Sequence, residues 1–284
     1  MTLLSRRTVF LAGLPVHVFS TKDLGDISGK VAVLFLLHGR QGSAREINKR
    51  AESIVRHVAD RGPSIVTLLV VTIDQRNHGE RLYDALANNA WNEGNDRHAI
   101  DMYAMYTGTS KDISYLIDLL PSYLFPSAEA EIVQWSIAGV SLGGHAAWFS
   151  LCAEPRITLG VPIIGCPDYL HLISRRAQAS GIAFEPPYAP QSFVAHVQQH
   201  DPPSTPFTAT DASNPFYNKK VLVLSGADDP LVPWESSDAF VRDLHVGPAG
   251  VKQVVVYPGV GHACTEEMVK ATADFVWEHV LTIA

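Results

Sequence analysis

Apolar residues gather in short, regularly spaced runs along the chain. Residues 31–37, 65–73, 132–140, 157–164 and 221–224 are each predominantly apolar and rich in β-branched side chains. Runs of this length, apolar on both faces, predict strands buried inside a parallel sheet. Residues 251–257 fit a further strand nearer an edge. At the other end, residues 8–12 and 16–20 predict an antiparallel hairpin, with Gly13-Leu14-Pro15 at its turn.

Helical spacing fills the gaps. Ser43-Ala44-Arg45-Glu46 is a capping box, in which hydroxyl and carboxylate each satisfy an orphan backbone donor. Ile47, Ala51, Ile54, Val55 and Val58 then form one apolar stripe. Residues 112–120 place Ile113, Leu116, Ile117 and Leu120 together, and Pro121 is expected to end that helix. Residues 142–153 are small and apolar and stop before Pro155. Residues 235–244 and 265–281 also read as helices, the second with Met268, Thr272, Phe275, Val276, His279 and Val280 on one side.

Strands alternating with helices predict an α/β architecture: a doubly wound, mostly parallel sheet with right-handed crossovers and the hairpin at one edge. Two stretches break the rhythm. Residues 75–110 are polar and aromatic, and residues 166–218 carry eight prolines. Excursions this long in a compact domain are usually functional. We therefore expect one domain over 1–284, with residues 167–217 inserted as a small cap or lid.

Composition narrows the function. The chain has 284 residues, 46% hydrophobic and 18% charged, enough apolar material for a sizeable core. Lys and Arg number 22 against 29 Asp and Glu, a net charge of −7. That balance argues against nucleic acid or an anionic membrane as the main partner. The apolar runs fall well short of the roughly 18 residues needed to span a bilayer. Three cysteines, Cys152, Cys166 and Cys264, give no disulfide framework and no zinc spacing, so a reducing, cytoplasmic setting is expected. Ser5-Arg6-Arg7 before an apolar stretch superficially resembles a twin-arginine signal, but Gly13, Pro15 and His17 interrupt it and the hairpin reading is preferred.

The candidate chemistry starts at Gly139-Val140-Ser141-Leu142-Gly143, a G-x-S-x-G sequence directly after one predicted strand and opening a predicted helix. That context is what a nucleophile elbow requires: a sharp, strained turn exposing the serine, with small neighbours and a helix N-terminus behind it. A serine hydroxyl needs a base. His262, in Pro258-Gly259-Val260-Gly261-His262, follows the last predicted strand. The histidine needs a carboxylate to set its tautomer. Asp228 and Asp229 both follow residues 221–224, and Asp229, directly before Pro230, is preferred.

With Leu37-His38-Gly39-Arg40-Gln41-Gly42, Gly139-Val140-Ser141-Leu142-Gly143-Gly144, Gly226-Ala227-Asp228-Asp229-Pro230-Leu231-Val232-Pro233 and Gly261-His262 in this order, the sequence resembles the α/β-hydrolase superfamily over nearly its whole length. Within it, the sequence resembles serine esterases and lipases, close to the small dienelactone-hydrolase and prolyl-oligopeptidase-like esterases. The resemblance implies a carboxylic ester hydrolase working through Ser141, Asp229 and His262 without cofactor or metal. It also implies an oxyanion hole from the N–H groups of Leu142 and Arg40, leaving open where the Arg40 side chain points. Lactones and thioesters are alternative substrates of the same triad, and a non-catalytic small-ligand receptor is the alternative outside enzymes. A dehalogenase is disfavoured because its nucleophile position would hold aspartate. His38 and the turn Asp74-Gln75-Arg76-Asn77-His78-Gly79 are expected to be structural, Trp148 core and His145 a spectator. Trp91, Met102, Tyr103 and Tyr106, with Tyr169 from the cap, are candidate walls of a substrate pocket, and their apolar character suggests a small uncharged ester as partner. The oligomeric state stays open, a homodimer included.

Overall fold

Eight strands form one sheet in the computed structural model, which describes residues 4–282. They are β1 (Ser5–Leu11), β2 (Leu14–Ser20), β3 (Gly29–Leu37), β4 (Val66–Ile73), β5 (Ala130–Val140), β6 (Ile157–Ile163), β7 (Lys220–Gly226) and β8 (Val251–Tyr257). Their order across the sheet is β1-β2-β4-β3-β5-β6-β7-β8. The first two pairings are antiparallel and the remaining five parallel. The hairpin is tighter than its sequence suggests. Leu11 pairs with Leu14, so the turn is Ala12-Gly13, and Leu14 and Pro15 belong to the second strand.

Alternate residues of the central strands enter two separate cores. Val31, Val33, Phe35 and Leu37 of β3 face one side, where α2 (His98–Leu124) and α3 (Leu142–Ala153) pack through Ile113, Leu116 and Ala146. Ala32, Leu34 and Leu36 face the other side, covered by α1 (Ala44–Asp60) and α7 (Glu266–Val276) through Ile47, Ile54, Met268 and Phe275. Burial on both faces is why these strands read as unbroken apolar runs. The α1 stripe is buried as its spacing requires, and the Ser43 hydroxyl accepts the Glu46 N–H at its start.

The largest departure from the sequence reading is α2. Its 27 residues begin inside the stretch expected to be loop and run past Pro121 to Leu124. Met102, Tyr103, Met105, Tyr106, Thr109 and Ser110 are all buried, so the first half of the helix lacks the polar face by which a helix is usually recognised. Pro121 costs one backbone bond in the last turn, too late to end the helix.

Between β6 and β7 lie α4 (Tyr169–Ala179) and α5 (Gln191–His200), which pack against α2. Tyr103 of α2 sits 5.2 Å from the Tyr169 ring and 5.7 Å from Phe193. The short α6 (Asp238–Asp243) precedes β8. Among the described residues, no helix is long and apolar enough to cross a membrane.

The order β4-β3-β5 fixes where a site can form. The chain leaves β3 through α1 toward one edge and returns through α2 to β5 on the other side. The loops after β3 and β5 therefore diverge at the carboxyl ends of adjacent strands, the crevice in which open α/β sheets bind ligands.

Candidate active site

Ser141 stands at this crevice, between β5 and α3, with φ 54° and ψ −109°. A non-glycine residue at positive φ is strained and persists only where its surroundings hold it. Three main-chain bonds do so. The Ser141 N–H donates to Ile163 O at 2.9 Å, the His145 N–H to Ser141 O at 2.9 Å, and the Gly143 N–H to His38 O at 3.1 Å. The last joins the elbow to the loop after β3. Glycine is required at positions 139 and 143 because the chain folds back on itself. A Cβ on Gly139 would collide with the Gly143 main chain, and one on Gly143 would lie 2.5 Å from Leu37 O.

His262 occupies the loop after β8. Its Nδ1–H donates to Asp229 Oδ2 at 2.7 Å, and its Nε2 faces Ser141 Oγ at 2.8 Å. With Nδ1 protonated toward the carboxylate, Nε2 is the free lone pair and accepts the serine proton. Asp229 Oδ1 accepts the N–H groups of Leu231 and Val232, each at 2.9 Å. Asp228, by contrast, is exposed, and its N–H donates to Val260 O at 3.0 Å, tying the aspartate loop to the histidine loop. That approach requires Gly226, whose Cβ would strike Val260 and Gly261 carbonyls. Gly261, by contrast, would meet only an ordinary contact, at 3.7 Å from Asp228 O.

The remaining histidines near the crevice have structural partners. His38 donates from Nδ1 to Gly39 O at 2.7 Å and accepts the Gln75 N–H on Nε2 at 3.0 Å. Burial pushes it down to about 4, which keeps it neutral in both bonds. Asp74 accepts the Ala44 and Glu80 N–H groups, so the turn after β4 is held from both sides. His145 is buried against Cys166, and Trp148 lies in the core.

A cavity of about 290 Å³ opens onto Ser141 and His262, with Arg40, Leu142, Trp91 and Met102 in its wall. The Leu142 and Arg40 N–H groups donate to no main-chain or side-chain acceptor among the described residues. The Arg40 side chain turns toward the insertion after β4 and donates to Asn88 O. Two of the five expected pocket residues, Trp91 and Met102, line this cavity. The other three do not. Tyr103, Tyr106 and Tyr169 are buried in an aromatic cluster behind it, where the Tyr169 hydroxyl donates to Ala99 O at 2.6 Å and that of Tyr106 to Asp201 at 3.3 Å. Their rings hold α2 against α4.

Sequence reasoning missed Arg176 and Leu231 on the opposite wall. A signal was present: Arg176 falls on the apolar stripe of α4, in phase with Tyr169, Leu172, Ile173 and Ala177. A larger cavity of about 440 Å³ lies alongside and shares Arg176, Ser180 and Leu231, but includes neither Ser141 nor His262.

Neither a family model nor a curated protein matches the chain. Solved structures do. TT1662 from Thermus thermophilus is 22% identical, with 99% of this chain and 100% of that one covered at a TM-score of 0.70. Est1E from Butyrivibrio proteoclasticus, with ferulic acid bound, is 18% identical, with coverage of 96% and 99% and a TM-score of 0.60. The Pyrococcus furiosus esterase Pf2001 is 18% identical, with coverage of 98% and 93% and a TM-score of 0.51. From end to end, this chain has the fold of the α/β-hydrolase superfamily.

Proposed function

We propose that the protein is a serine hydrolase of carboxylic esters. One observation carries the reading: both ring nitrogens of His262 are engaged, one by Asp229 at 2.7 Å and the other by Ser141 at 2.8 Å, beside an open cavity. Ser141 Oγ attacks the acyl carbon while His262 Nε2 takes its proton. Asp229 holds the imidazole in the tautomer that can accept that proton and stabilises the cation formed. The N–H groups of Leu142 and Arg40 stabilise the tetrahedral oxyanion, each contributing about 3–4 kcal/mol in such sites. His262 then protonates the leaving alcohol, and water activated by the same nitrogen releases the acyl group. Lactones and thioesters would follow the same steps. Segment 167–217 acts as the cap, a reading supported by Arg176 and Ser180 of that segment in the cavity wall.

Turnover of p-nitrophenyl acetate tests this. Ser141→Ala should lower kcat by about 10⁶-fold, and a fluorophosphonate probe should label the wild type but not the variant. Equal rates, or labelling that survives the substitution, would remove the mechanism.

A further inference from the structure

Charge in the cavity wall is unbalanced. Arg176 Nη2 donates to Leu231 O at 2.8 Å, while Nη1 faces His98 Nε2 and Met102 Sδ, both at 3.2 Å. His98 donates from Nδ1 to Asn89 O at 2.9 Å, so Nε2 is its unprotonated nitrogen. Burial, with Arg176 and Arg40 adding to it, pushes His98 down to about 3. Every partner of Arg176 is thus neutral. The same holds for Arg40, whose side chain donates to the Asn88 carbonyl.

The carboxylates whose charge reaches these arginines are already committed. Glu93, near Arg40, accepts the Ala90 N–H at 2.7 Å. Asp229, near Arg176, accepts from His262, Leu231 and Val232. Burial lowers both guanidiniums from the ordinary arginine value, and Arg40 adds to the effect on Arg176. Two half-buried cations of like sign face one cavity with no carboxylate in hydrogen-bond contact, an arrangement that costs folding free energy. Their Nε–H groups make no hydrogen bond among the described residues.

We propose that this cavity selects esters bearing a second, free carboxylate, such as half-esters of short dicarboxylic acids, with Arg176 and Arg40 as the residues that bind it. The planar fork of a guanidinium matches a carboxylate bidentately, and a desolvated pair of this kind is stronger than a neutral hydrogen bond. A volume of about 290 Å³ suits a short substrate. Trp91, Met102 and Leu231 supply apolar contacts for the methylenes between the two ends. This departs from the uncharged ester that the aromatic insertion suggested. It deepens the ester-hydrolase reading and rests on it.

Two arms test the proposal on the full chain. The first compares ethyl hydrogen adipate with ethyl hexanoate, matched in acyl length, by ethanol release. The wild type should favour the charged ester by at least about tenfold in kcat/KM, and Arg176→Gln should lose at least about tenfold more on the charged ester than on the neutral one, mainly in KM. Arg176→Lys, which keeps the charge without the fork, should fall between them. Equal preference, or equal losses on both esters, would overturn the proposal.

The second arm needs no catalysis. Adipate should raise the melting temperature of Ser141→Ala, and adipamide should not. Adding Arg176→Gln should abolish the shift, while Arg176→Lys controls for loss of folding. No shift, or an equal shift from inorganic phosphate, would overturn the carboxylate assignment. If neither ester is turned over faster than by Ser141→Ala, the hydrolase reading fails, and the adipate shift still decides the anion site.

Discussion

Asp229 and Arg176 face one crevice, and their surroundings differ. The Asp229 carboxylate accepts three N–H groups, two from its own loop and one from His262. All of these donors lie in the loops after β7 and β8. Arg176 reaches the crevice from α4 and meets an imidazole nitrogen, a thioether and a carbonyl, none of them charged. The strand-end wall is complete in itself, with its groups fixed by short loops and main-chain bonds. The wall supplied by α4 leaves charge for something else to balance. Groups that carry out a reaction have to be held before substrate arrives, whereas groups that select a substrate can be completed by it.

The contrast breaks first at Asp229. Asp229→Asn should lower kcat by about 10⁴-fold, because the amide can turn the imidazole to the wrong tautomer. A loss below about tenfold would mean that the strand-end wall does not depend on its internal partners. Next is the elbow. Gly143→Ala drives a Cβ against Leu37 O and His38 O, main-chain atoms that cannot move aside independently. It should cost about 3 kcal/mol in urea unfolding and reduce turnover as the Leu142 N–H shifts. Normal stability would show that the elbow is more pliable than its contacts imply.

A smaller effect sharpens the α4 side. Asp201, after α5, is buried between α2 and α4, where it accepts the Tyr169 N–H at 2.8 Å and the Tyr106 hydroxyl, and burial pushes it up to about 7. Between about pH 4 and 7 the folded chain keeps a proton that the unfolded chain has lost, so this group lowers stability as pH rises, by at most about 1.4 kcal/mol per unit. Asp201→Asn removes that titration. Relative to wild type, its melting temperature should therefore rise from pH 5 to pH 8. Parallel curves would place the charge of Asp201 in water. Smallest of all, Asp228→Asn should change kcat/KM less than about twofold, since exposed substitutions away from partners are nearly neutral. A large loss would shift the acid role back to the neighbour of Asp229.

The comparison also separates what was readable. Strands β3, β4, β6 and β7 are buried on both faces over most of their length, so a largely apolar run announces each of them. Ser141, Asp229 and His262 each lie in the loop after a strand, which lets order and spacing pick out Ser141, His262 and the Asp228-Asp229 pair. Asp229 rather than Asp228 needed the fold, because proline beside it is only a hint and the bond to His262 is a tertiary fact. The first half of α2 escaped notice because helix recognition relies on a polar face, and this helix has almost none there. The tyrosines were placed in the pocket because aromatic side chains serve equally in cores and in binding sites. Only packing showed that Tyr103, Tyr106 and Tyr169 join α2 to α4.

The chain alone determined the parallel sheet, the elbow turn and which side chains follow the strand ends, since each depends on residues close to one strand. The three-dimensional fold decided what lines the other side of the crevice. Arg40, the neighbouring Trp91 and Met102, and Arg176 come from three stretches far apart in sequence. Such a wall exists only after α2 and α4 have packed, and no local pattern of apolar and polar residues encodes how two distant arginines come to share one cavity.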